Sequence, residues 1–116
     1  MESILNSIKK LLGIPAEQEI FDTDIIMHIN SVFATLHQLG VGPAECFRIV
    51  DDDALWEEFT EDNLNIESVR TYMYLKVRLI FDPPLSSSVL AAMERTANEL
   101  EWRLQVEAET KQNGEN

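Results

Sequence analysis

Two histidines, one cysteine and a run of three aspartates are the residues of this 116-residue chain whose types and spacing could carry chemistry. His28 and His37 lie nine positions apart on one predicted helix. At about 100° per residue that separation turns them to opposite faces, so they cannot share a metal ion. Asp51-Asp52-Asp53 could open a calcium loop, but an EF-hand starting at Asp51 needs an oxygen ligand at 55 and a glycine at 56. Leu55 and Trp56 stand there, so the run reads as a solvated acidic loop. Cys46 has no histidine near it in sequence, and the adjacent Glu45 disfavours the thiolate that a nucleophile needs. Neither a phosphate-cradling glycine loop nor a serine-centred elbow is present. The expectation is a protein that is not an enzyme, with no catalytic residue, no metal site and no cofactor.

Aromatic residues are the other candidates, because large aromatic side chains anchor protein interfaces. Trp56, Phe59, Tyr72, Tyr74 and Trp102 are of this kind. Trp102 lies two positions past Leu100 and so points about 160° away from the apolar seam of its helix. With Val106 it forms a second small apolar patch. Trp102, Val106, Arg103 and Glu99, together with Trp56 and Phe59, are the expected partner-interface residues.

The elements that must position these residues read as helices. Ile4, Leu5, Ile8, Leu11 and Leu12 make one face of a short helix over 2–12, stopped by Gly13 and Pro15. Ile25, Ile26, Ile29, Val32, Phe33, Leu36 and Leu39 define a helix over 22–39, with Asp22 as its expected N-cap. Residues 66–81 carry two adjacent apolar stripes, one of Val69, Met73, Val77 and Ile80 and one of Tyr72, Leu75 and Leu79. Such a helix must pack on more than one side, and Asp82-Pro83-Pro84 ends it. Leu90, Met93, Ala97, Leu100 and Leu104 form a heptad seam along a helix over 87–110. Between these, Phe47 to Val50 is either a brief strand or an extended connection, and Ala54 to Phe59 is one or two helical turns capped by Asp52 or Asp53. The expected fold is all-α: a small bundle of three main helices plus one or two short ones. One domain spans 1–110, followed by a polar, frayed tail at 111–116.

Composition narrows the partners. Apolar residues make up 45% of the chain and charged residues 26%, ordinary globular values. The net charge is −12, and residues 21–64 alone carry −9 whereas 65–82 carry +1. Affinity for nucleic acid comes from lysine and arginine neutralising phosphates, so sequence-specific nucleic-acid binding is not expected. An anionic membrane surface would also repel the chain, and no stretch is long and apolar enough to span a bilayer. The remaining class of partner is protein.

Three segments carry a resemblance. Phe21 to Phe33 (FDTDIIMHINSVF) runs on to Gln38–Pro43 (QLGVGP), Tyr74 to Pro84 reads YLKVRLIFDPP, and Glu99 to Glu109 reads ELEWRLQVEAE. Together they resemble the head–tail connector, or head-completion, proteins of long-tailed phages and prophages of Gram-positive hosts, over about residues 3–110. The resemblance implies a small helical virion protein of the head–tail junction, assembled in the bacterial host cytoplasm. It implies a homo-oligomeric ring, commonly of twelve subunits, although isolated subunits can be monomeric. That ring docks below the portal protein, continues the DNA channel and receives the next neck or tail-completion protein. The alternative from the residues alone is a small acidic helical adaptor of a host protein, dimerising through the 90–104 seam.

Overall fold

A computed structural model describes residues 3–60 and 63–114. It contains five helices and no strand among the described residues: α1 Ile4–Leu12, α2 Asp22–Gln38, α3 Trp56–Phe59, α4 Asn63–Phe81 and α5 Ser87–Gly114. The all-α expectation holds. Residues 47–49 are an extended connection rather than a strand. Helix α5 runs to Gly114, and residues 115 and 116 of the expected polar tail lie outside the described residues.

Each helix forms for a local reason. The Ser3 hydroxyl accepts the Asn6 N–H at 3.0 Å and caps α1. Gly13 ends that helix at φ +82°, a left-handed conformation that suits glycine. In α2 the sequence pattern is realised: Ile25, Ile29, Val32, Phe33 and Leu36 are all buried. In α3, the Glu58 carboxylate accepts the Leu55 N–H at 2.7 Å, so the turn is closed from within. Neither Asp52 nor Asp53 caps it; instead Asp51 Oδ1 accepts the Asp53 N–H at 2.9 Å in an exposed turn.

Helix α4 is the centre of the bundle. It packs against α1 and α2 on one side and against α5 on the other. Its Val69, Tyr72, Met73 and Val77 are fully buried, which explains why its sequence is apolar around so much of its circumference. Ile80 departs from its predicted stripe and is exposed, whereas Phe81 beside it packs against Phe21 and His28. Helix α5 packs on α4 through Ala97 and Leu104, both buried, with Leu100 beside them. At 1.5 Å per residue α5 is about 42 Å long, close to the 47 Å long axis of the molecule. It therefore lies along the edge of the bundle with most of its circumference in solvent.

The short segments close the other end. Phe33 gathers Phe47 and Phe59, each with ring centroids 5.0 Å away, and Trp56 at 6.2 Å. Gly42 sits at φ +100°, and a Cβ there would come within 2.6 Å of the Phe59 ring. Both the backbone and the space demand glycine. The Asn30 side chain acts as a strand partner to the loop, donating to the Ile49 carbonyl at 2.9 Å and accepting its N–H at 2.8 Å. Ile49 is thereby buried without any sheet.

One polar group lies deep in this core. Lys9 has no exposed side-chain surface, and its Nζ lies 2.8 Å from Asp22 Oδ1. It also donates to the carbonyls of Ala16 at 3.0 Å and Gln18 at 2.7 Å. Asp22 is therefore not the N-cap of α2: Phe21 occupies that position without a side-chain cap, and the Asp22 carboxylate is turned to the lysine. A buried ammonium left without its counter-charge is costly. Asp22→Ala is expected to destabilise the fold by about 3 kcal/mol, read as a lower urea midpoint. A midpoint unchanged from the parent chain would show that the carbonyls alone satisfy the ammonium.

Candidate interaction surfaces

The residues singled out by type do not converge. His28 packs against the Phe81 ring with centroids 6.4 Å apart, and His37 is exposed in the last turn of α2. Cys46 is a free, exposed thiol. The carboxylate oxygens of Asp51, Asp52 and Asp53 can come within 4.8 Å of one another, but all three residues are exposed. A cleft of about 520 Å³ opens between the Gly40–Pro43 turn, α3 and α5, lined by Glu57, Glu58, Phe59, Glu107 and Lys111 among others.

The six expected interface residues divide into two groups. Trp56 and Phe59 are buried in the chain's own core, which corrects the expectation of a partner surface for them. The Trp56 indole donates to the buried Ser7 hydroxyl at 2.8 Å, and Arg70 lies 5.8 Å from its ring centroid. Sequence cannot distinguish this from an exposed tryptophan, because the partners stand 49 and 14 positions away. Trp102 and Val106, by contrast, are 64% and 38% exposed on the outer face of α5. Arg103 and Glu99 lie on the same face and form an exposed i,i+4 pair at 2.7 Å. Such pairs stabilise little; the pair borders the tryptophan and leaves its ring open.

The inner face of α5 is spent inside the chain. The Tyr72 hydroxyl, from α4, donates to Glu101 Oε1 at 2.5 Å. With Ala97 and Leu104 this fixes the rotation of α5 about its axis and so sets which way Trp102 faces. Neither Lys9–Asp22 nor Tyr72–Glu101 has a local sequence signal, since each depends on two helices meeting.

The arrangement defines a class: a helical protein that exposes apolar side chains and carboxylates on its surface. No helix of the described residues is long and apolar enough to cross a membrane. Comparison with curated proteins and with solved structures gave no match. The family model described as "Phage connector protein" matches residues 4–111. The chain belongs to this phage connector family, a family of structural rather than enzymatic proteins, and is by that membership a virion component that contacts other virion proteins.

Burial, followed by the hydrogen bond and the negative charge of Glu101, holds the Tyr72 hydroxyl well above its ordinary pKa. The unfolded hydroxyl titrates near pH 10, so above that pH the unfolded chain releases its proton first. The contribution of Tyr72 is complete below about pH 10 and is lost as the pH rises further. Stability of the parent chain is expected to fall more steeply above pH 10 than that of Tyr72→Phe, measured by urea unfolding across the alkaline range. Parallel profiles would show that the hydroxyl carries no such linkage.

Proposed function

We propose that this chain is the head–tail connector of a long-tailed phage or prophage. Copies form a ring, twelve in the virion, that docks below the portal protein, extends the DNA channel and receives the next neck or tail-completion protein. The observation that carries this reading is the family membership over residues 4–111. The charge supports it: a wall as acidic as residues 21–64, at −9, does not grip phosphates and lets DNA slide. The single helical domain over 1–110 is the rigid body of the ring, and α5 continues past it to Gly114.

In this reading the α5 face of Glu99, Trp102, Arg103 and Val106 contacts the portal or a neighbouring subunit. An aromatic ring exposed on a helix that is already anchored by its other face is the usual anatomy of an interface anchor. The alternative of a host-protein adaptor dimerising through the 90–104 seam is weakened, because Ala97 and Leu104 of that seam are buried within one chain.

Trp102→Ala is expected to leave the melting temperature of the isolated chain close to that of the parent, because the ring is 64% exposed. The same substitution should weaken docking by about 2 kcal/mol or more and abolish head–tail joining in a complementation assay. Unfolding of the isolated chain would place the tryptophan in the core, and full complementation would remove this face from the junction.

A further inference from the structure

Lysine is among the residues least often buried, yet the one fully buried lysine here is spent on a surface loop. Lys9 holds two carbonyls of the α1–α2 connection and the carboxylate that follows it. The connection is thereby fixed, but Ile20 at its tip is 77% exposed, while Phe21 beside it, 38% exposed, packs edge-on against Phe81. Glu17 and Glu19 precede the tip, and residues 13–21 contain no lysine or arginine. A tip held in one conformation before contact avoids most of the ordering cost of binding.

A shape to receive it lies on another part of the molecule. Between α4 and α5 runs an open groove of about 370 Å³, lined by Tyr74, Leu75, Val89, Ala92, Met93 and small polar side chains, none of them charged. Arg78 stands at its rim: Nη1 donates to the Tyr74 hydroxyl at 2.8 Å, and Nε reaches the Asp82 carbonyl at 3.4 Å. The loop belongs to the α1–α2 side of α4 and the groove to its α5 side. Ile20 does not line the groove of its own chain.

We infer that the Glu17–Phe21 loop of one copy seats Ile20 in the α4–α5 groove of the next copy, with Glu19 facing Arg78. The inference rests on the ring reading and deepens it by naming both halves of the subunit contact. Charge selects the pairing. Two acidic loops meeting each other would repel, whereas an acidic loop at an uncharged groove with an arginine at its rim is attracted. Because loop and groove are different surfaces, the contact is head-to-tail, and repetition closes it into a ring when the rotation permits.

Disulfide trapping tests the contact. In a Cys46→Ser background, the double variant Ile20→Cys/Val89→Cys is oxidised with copper-phenanthroline at high protein concentration. A ladder in steps of 13.3 kDa is expected on a non-reducing gel, and a mixture of the two single variants should stop at dimers. Arg78→Glu, at a half-buried position, should lower the yield severalfold, and adding Glu19→Arg should restore it, which loss of the Tyr74 hydrogen bond alone would not allow. Dimers from Ile20→Cys alone as the main product would overturn the inference in favour of a two-fold loop contact. Absence of the ladder from a chain that sediments as a closed oligomer would overturn it while leaving the ring reading standing. For a chain that is monomeric in isolation, the same trapping is done on portal-bearing heads: incorporation without the ladder overturns the contact, and failure to incorporate overturns the ring reading on which it rests.

Discussion

The ammonium of Lys9 is the group on which the arrangement of the first forty residues depends. A charge with no exposed surface must find partners for its donors, and this one finds them in three separate places: Ala16, Gln18 and Asp22. That requirement brings the end of α1, the connection and the start of α2 to one point. It also diverts Asp22 from the capping role its position suggests, so the first turn of α2 is held by tertiary structure instead. Once α1 and α2 are joined, their apolar faces form the concave surface into which α4 fits.

Helix α4 then sets the rest. Its buried side is divided between α1 and α2 on one flank and α5 on the other. The consequence for α5 is geometric. A long helix with one neighbour buries one stripe, here Ala97 and Leu104 with the Tyr72–Glu101 bond beside them. Everything on the remaining circumference, Trp102 and Val106 included, is available to other chains. The same economy applies at the opposite end, where the aromatic cluster around Phe33 closes over the turn at Gly42 and leaves no room for a side chain there.

The parts legible in the sequence are those governed by periodicity. The α2 stripe, the two stripes of α4 and the α5 seam follow from 3.6-residue spacing, and the outward direction of Trp102 follows from the same arithmetic. The parts that were not legible depend on contacts distant in sequence. Lys9 near the end of a helix reads as a charge placed for the dipole and for solvent; only the fold reveals it as a core residue. Trp56 and Phe59 belong to a four-residue helix, too short to show a face, and their burial is decided by Phe33 and Ser7. Asn30 sits on α2 among apolar neighbours, and its role appears only when Ile49 is brought against it.

The division between buried and exposed apolar side chains bears on how a connector can work. A protein that must fold before it finds its place in a virion cannot leave its core open until assembly. Here the core residues of α1, α2 and α4 are sealed within one chain. Exposed apolar side chains are spread over the surface, Leu11, Met27, Val50, Ile80 and Leu85 among them, and two lie on well-anchored mountings: Ile20 on the lysine-fixed loop, and Trp102 on the outer face of α5. Neither needs to move to make contact, so association would bury surface without unfolding any of it. The acidic excess acts in the opposite sense. At −12, copies repel one another over most of their surface, which opposes indiscriminate aggregation of the exposed hydrophobic side chains. Contact is then favoured where an apolar surface coincides with a local relief of negative charge. The +1 stretch at 65–82, which contributes Arg78 to the rim of the α4–α5 groove, is such a place.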